Sequence, residues 1–421
     1  MKLQSQTPRR RSIAIGAMVA ASTVAVALTG CTAGGGGGEG QTTLTVFSWA
    51  SEEVMQSSFD AFEEQNPDIT IEFSTAPPVA EYISTLQNRL ISNTAADVFV
   101  IAAENKTNLI EGGFVVDLTD EPFMEVASPF NTATYAGPDG EAYGLSVSSW
   151  ASGIMYNVDL LEANGITEFP TTWEDFVSTL ETLKAAGVTP FLESWQGFPT
   201  SLGSSVGLAN FDQGGTADAA IFNGEGTFEE LWTEPLTPWK DLIDQGLIPT
   251  DVVGLTGDQV LDEFINGRAA MITAGPWNIA AVREAGLNFT FAGVPQKDGE
   301  PFYTGAASPG WAINSAAKEP EAAMKFLEFL GSAEGVKLYQ EATNDMTTTS
   351  NFEPTVDEAL ALPYEALKEG RYYLPMISWP RYQDALYTEL VAQIQLMASG
   401  QATTADVGAA LDAKLKQESG E

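Results

Sequence analysis

The sequence predicts an α/β fold in two lobes. At 421 residues the chain exceeds one average domain, strand and helix periodicities alternate from residue 43 onward, and that pattern restarts past residue 145. Leu44, Val46 and Ser48 alternate with Thr45, Phe47 and Trp49 as in a strand. Met55, Ser58, Phe59 and Phe62 follow at helical spacing, and Asn66-Pro67 stops that helix. Ile69, Ile71 and Phe73 alternate again, Ile83, Leu86 and Leu90 mark a second helix, and Asp97 to Ile101 reads as a short buried strand. Strand, helix, strand, helix, strand implies a largely parallel first sheet. In the second half, Thr171-Thr172-Trp173-Glu174 has capping-box spacing ahead of Phe176, Leu180 and Leu183, with Gly187 placed to end the helix. Pro320 suits the first turn of a helix whose Ala323, Phe326, Leu327 and Leu330 face inward before Gly331 ends it, and a last amphipathic helix spans about Tyr382 to Met397. Gly214-Gly215, Gly224 to Gly226 and Lys297-Asp298-Gly299 read as surface loops.

Composition excludes several functions. With 44% hydrophobic and 18% charged residues the chain can bury a core. It has no histidine, which removes the usual general base, Ser/His and Cys/His nucleophiles and His-bearing zinc sites. A net charge of -38 without a basic stripe argues against nucleic acid as a partner. No phosphate-cradling loop, EF-hand or metalloprotease pattern is present, and neither a cofactor nor a metal is expected.

Residues 1–30 have the make-up of an export signal. Arg9, Arg10 and Arg11 end a basic segment, and Ile13 to Thr29 carry no charge. That run is short for a transmembrane helix. Leu28-Thr29-Gly30-Cys31 resembles the lipobox of bacterial lipoproteins, which implies lipidation of Cys31 and a membrane anchor. Arg9-Arg10-Arg11-Ser12 leaves Sec and twin-arginine export both open. Loss of Lys2, Arg9, Arg10 and Arg11, with no acid among residues 1–30, takes the charge from -38 to -42. The stretch 31–42 then reads as a flexible Gly-rich tether.

A series of phrases resembles the extracellular solute-binding proteins of carbohydrate ABC importers, the group that includes maltose-binding protein. The phrases are Phe62-Glu63-Glu64-Gln65-Asn66-Pro67-Asp68-Ile69, Ala96-Asp97-Val98-Phe99, Gly112-Gly113-Phe114-Val115-Val116-Asp117-Leu118-Thr119 and Tyr143-Gly144-Leu145. Further along come Met155-Tyr156-Asn157-Val158-Asp159-Leu160-Leu161, Thr171-Thr172-Trp173, Gly267-Arg268-Ala269-Ala270-Met271, Gly275-Pro276-Trp277, Gly310-Trp311-Ala312-Ile313 and Glu321-Ala322-Ala323-Met324-Lys325-Phe326-Leu327. Together they cover about 43 to 415. Glu104-Asn105-Lys106 and Ser308-Pro309-Gly310-Trp311 depart from the common pattern. The resemblance implies a two-lobed, type II periplasmic-binding-protein-like fold, each lobe a mainly parallel sheet flanked by helices, with the ligand cleft at the hinge. It implies three crossings between lobes, with 43–147 and 305–348 in lobe 1 and 148–304 and 349–421 in lobe 2. It also implies a monomer that closes on its ligand and delivers it to ABC permease subunits at the extracellular face of the membrane.

A neutral sugar offers hydroxyls at its edge and apolar C–H groups on its faces, so a site needs aromatic platforms and a few hydrogen-bonding groups. The nine tryptophans are the supply. Trp49 ends the first strand, where open parallel sheets bind ligands. Trp277 lies in a turn, and the resemblance implies stacking there, with core packing the alternative. The resemblance also places Trp311 at the cleft edge and Trp379, with Arg381, ahead of the last helical region. Trp150 at the first crossing and Trp195 beside Glu193 and Gln196 are further candidates. Glu104 and Asn105 follow a buried strand, although Glu104 equally suits a solvated loop or a helix start, and Asn278 can serve ring hydroxyls in both directions. Trp173, Trp232 and Trp239 read as packing residues.

The expectation is therefore a receptor for a sugar or oligosaccharide, and not an enzyme. The alternatives are the same fold binding a polyamine, amino acid or iron, or a secreted glycoside hydrolase, which would need two carboxylates across the scissile bond.

Overall fold

The computed structural model describes residues 41–137, 140–343 and 345–420. The leader, most of the Gly-rich tether and Cys31 lie outside the described residues. No helix among the described residues is long and apolar enough to cross a membrane.

The first sheet has the order β2 (Ile69–Thr75), β1 (Thr42–Ser48), β3 (Val98–Ile101) and β9 (Gly310–Ile313). β1 pairs in parallel with β2 and β3, as the strand and helix alternation predicts, while β9 returns antiparallel beside β3. Helix Glu52–Gln65 starts at Ser51, whose side chain accepts from the Val54 amide, and it buries the predicted Met55, Ser58, Phe59 and Phe62. Asp97 joins the layers of this lobe. One carboxylate oxygen accepts from the Thr45 amide at 3.1 Å and the Thr45 hydroxyl at 2.5 Å, and the other accepts from the Lys318 and Glu319 amides at 2.6 and 3.2 Å. Burial alone would raise its pKa, but these donors outweigh it and hold the carboxyl below its ordinary value.

The second sheet departs from the mainly parallel expectation. Its path is β11 (Tyr372–Tyr373), β8 (Tyr303–Ala307), β4 (Ser148–Asn157), β6 (Ala269–Ala274) and β5 (Thr189–Leu192), with β7 (Phe289–Ala292) and β10 (Met346–Thr347) also pairing with β4. β4 is antiparallel to β6, β7, β8 and β10, and only the β5–β6 and β8–β11 pairs are parallel. The long β4 carries the chain out of the first lobe and β8 carries it back, so those two must run in opposite directions. The predicted helix cap shifts by one residue: the Thr172 side chain accepts from the Asp175 amide and starts helix Trp173–Ala185. Pro235 and Pro238 lie inside a continuous helix, Phe228–Asp244, which carries Trp232 and Trp239 on its buried face. Helix Thr404–Ser419 presses against it at Gly408, where an added Cβ would meet the Glu229 Cα at 2.4 Å.

Each sheet has its own core. Leu44, Phe62, Phe99 and Phe326 belong to the first, and Ile154, Phe176, Trp239 and Leu390 to the second. Among the described residues the chain passes between them three times, at Leu145–Ser148, at Ala307–Gly310 and between helix Ala333–Thr343 and β10. The crossings are tied together. The Leu145 amide donates to Trp311 O at 2.8 Å and the Ser148 hydroxyl to Ser308 O at 2.9 Å. Asn131, fully buried, donates to Ser146 O and Ser148 O and accepts from the hydroxyls of Ser149 and Thr348.

Candidate ligand cleft

A cavity of about 550 Å³ opens where the three crossings meet, within the size range of small-molecule sites. Trp49, Ala102 and Glu104 reach it from the ends of β1 and β3. Trp150 enters from β4, Pro276 and Trp277 from the turn after β6, and Ser308, Pro309, Tyr339, Thr343 and Asp345 from the crossings or beside them. Local chemistry presents the rings. The Asn278 side-chain oxygen accepts from the Gly275 amide at 3.0 Å and closes the turn that lifts Trp277, which is 57% exposed. An added Cβ at Gly275 would meet the Trp277 ring at 2.3 Å, so glycine lets the ring lie back over the backbone. Trp277 meets Trp150 edge to face, with ring centres 5.4 Å apart, and Trp49 meets Tyr82 similarly at 5.2 Å.

Two carboxyls share this cavity. Burial raises the Glu104 pKa, and the Asp384 charge adds to the shift against one backbone hydrogen bond. Burial also pushes Asp345 up to about 7, opposed by its contacts with the hydroxyls of Ser148 and Thr343. No lysine or arginine lines the cavity among the described residues. The arrangement is apolar faces with two acids, of which Asp345 contacts the hydroxyls of Ser148 and Thr343.

Comparison with known proteins places this geometry in a family. The family model of bacterial extracellular solute-binding proteins matches residues 57–363. The chain belongs to that family. A family 1 extracellular solute-binding protein from Bifidobacterium longum subsp. infantis is 31% identical, with a TM-score of 0.76 over 90% of this chain and 100% of that one. A maltodextrin-binding protein of Bacillus subtilis is 27% identical over 367 residues, 81% of this chain and 82% of its own. A sugar transporter structure from Bacillus licheniformis, in complex with stachyose, shares the fold at 22% identity and a TM-score of 0.64, over 90% of this chain and 99% of that one.

In this solute-binding protein the structure brings together four of the residues singled out in the sequence, Trp49, Glu104, Trp150 and Trp277. It takes three tryptophans elsewhere. Trp311 is buried in the first core, edge to face with Phe326 of helix Pro320–Gly331, which packs against β9. Trp379 and Trp195 are fully buried in the second core, Trp379 against Phe228 and Trp232. Arg381 stands on the surface, donating to Phe222 O at 2.8 Å. Asn105 is buried, its side-chain oxygen accepting from the Ala102 amide at 3.0 Å, and Asn278 braces the Trp277 turn; neither lines the cavity. Asp345, Tyr339 and Thr343 were not singled out in the sequence. Asp345 stands at the third crossing as Trp150 stands at the first, and that position is the signal that could have found it.

Proposed function

We propose that this solute-binding protein captures a neutral sugar or oligosaccharide outside the cell and hands it to an ABC permease. The observation that carries this is the cavity itself, with three tryptophan side chains, two carboxyls and no cationic side chain among its described lining. Flat apolar faces match the C–H faces of a pyranose, and carboxyls match its hydroxyls. The maltodextrin-binding and stachyose-bound relatives support the same ligand class. The two lobes, one built on each sheet, close on the ligand as two bodies, and the closed form is the one the permease reads. The mature protein is a monomer anchored by lipid on Cys31.

Two carboxyls on an aromatic cavity also meet the first requirement of glycoside hydrolysis. Membership of a solute-binding family favours capture without cleavage. The test is a thermal-shift screen of residues 41–421 against mono- and oligosaccharides, with amino acids, polyamines and ferric iron alongside. A ligand at 100 times its Kd adds about 2.7 kcal/mol of stability. A raised midpoint with one sugar class, and that sugar recovered intact, is the expected outcome. A rise with a control alone replaces the cargo, and a cleaved sugar replaces the function.

A further inference from the structure

The three lobe crossings converge on one acidic side chain. Asp345 follows helix Ala333–Thr343, whose Tyr339 packs in the first core, and it precedes β10, which pairs with β4 of the second sheet. Its carboxyl lines the cleft and contacts the hydroxyl of Ser148 on the first crossing. The same Ser148 hydroxyl donates to Ser308 O on the second crossing at 2.9 Å, and the Tyr339 phenol also contacts it.

A serine hydroxyl has one proton and two lone pairs. With Asp345 protonated, its O–H can donate to Ser148 Oγ while the Ser148 proton stays on Ser308 O, and all three crossings are linked. With Asp345 ionised, the carboxylate is acceptor only and a stronger acceptor than a carbonyl. The Ser148 proton is then drawn to Asp345, and Ser308 O loses its donor. A ligand hydroxyl that donates to the same carboxylate oxygen competes with Ser148 for it and weakens it as an acceptor, which favours return of the Ser148 proton to Ser308 O.

We propose that Asp345 is the positioning residue of the hinge, whose cleft-facing carboxyl ties or releases the second lobe crossing through Ser148 and so couples ligand capture to closure. The coupling rests on this cavity being the ligand site, as proposed above. Burial holds Asp345 near 7, so both states are accessible at neutral pH. The titratable groups around it are the Tyr339 phenol on the preceding helix, Tyr135 beside Tyr339, and Glu104 across the cleft. Burial keeps both phenols above their ordinary value and therefore neutral in this range. Glu104 across the cleft, and Glu193 and Asp218 in the second core, which burial also pushes up to about 7, are the other acids to control for, by Glu104→Gln, Glu193→Gln and Asp218→Asn.

The experiment follows tryptophan emission and the small-angle scattering radius of the full chain, without ligand, from pH 5.5 to 8.5. Wild type should shift with a midpoint near 7, Glu104→Gln should keep a shift, and Asp345→Asn and Ser148→Ala should lose it. The last two should melt within a few degrees of wild type at pH 5.5, which separates a lost switch from a lost fold. A flat wild-type profile, or a shift that survives Asp345→Asn, overturns the assignment. In a second arm, maltotriose and raffinose are titrated at pH 8, where Asp345→Asn should weaken binding about tenfold, the scale of one charge-assisted hydrogen bond. Equal affinity for wild type and variant overturns the coupling. If wild type binds no sugar, yet shows a pH shift that Asp345→Asn abolishes, the sugar reading falls and the hinge assignment is supported.

Discussion

Two tryptophan pairs with similar flanking chemistry have opposite fates. Trp277 follows Gly275-Pro276 and Trp379 precedes Pro380. In the cleft, Trp150 and Trp277 meet edge to face at 5.4 Å with Trp277 mostly exposed. In the second core, Trp232 and Trp379 lie 6.2 Å apart, tilted by 31° and fully buried. The difference lies in what covers the ring. Helix Phe228–Asp244 closes over Trp379, whereas among the described residues Trp277 meets Trp150 at its edge and stays 57% exposed. A large exposed apolar ring on a braced turn is therefore the informative one.

The largest expected effect breaks the buried pair. Trp379→Ala should cost about 3–5 kcal/mol in denaturant unfolding, the usual penalty for emptying a large core site. A cost below about 1 kcal/mol would show that the core closes the gap or that the ring is not held there. Breaking the exposed pair should do the reverse. Trp277→Ala should weaken sugar binding more than tenfold by calorimetry, about 1.4 kcal/mol or more, and leave the unfolding midpoint nearly unchanged. Unchanged affinity would remove Trp277 from the site.

Buried acids sharpen the contrast between core and cleft. Burial pushes Glu193, despite its contacts with Ser201, and Asp218, despite the Tyr373 hydroxyl at 2.7 Å, up to about 7 each. Between their ordinary values near 4 and about 7 the folded state binds more protons than the unfolded state, so stability should fall as pH rises through that window. Glu193→Gln should reduce that fall in melting curves taken from pH 5 to 8; an identical slope would place the effect elsewhere. The smallest effect belongs to Arg381→Ala. Its guanidinium is exposed and bonds a backbone carbonyl away from the cleft, so affinity should stay within about twofold and stability should drop by about 0.5 kcal/mol.

Local pattern was legible wherever a neighbouring layer repeats at the element's own period. Met55, Ser58, Phe59 and Phe62 are the buried face of their helix because one sheet lies along it. That Trp49 and Glu104 line the cavity was legible for a related reason, since both follow strand ends of an open α/β sheet. Trp311 was misplaced because strand alternation gives two faces and does not say which one a helix covers. Trp379 and Trp195 were misplaced because both lie in irregular segments, where no period assigns a face.

The sequence by itself determined the α/β class, the family and the aromatic supply. Those follow from periodicity, composition and ordered phrases, which depend on near neighbours along the chain. Only the tertiary structure decided which tryptophans face the cleft, that the second sheet is mixed, and that Asp345 stands at the junction of three crossings. Each of these depends on segments distant in the chain, as when Ser148 meets Ser308, 160 residues away, and Asp345. Burial, and with it the pKa of a carboxyl or the reach of a ring, is set by those distant neighbours and not by the local pattern.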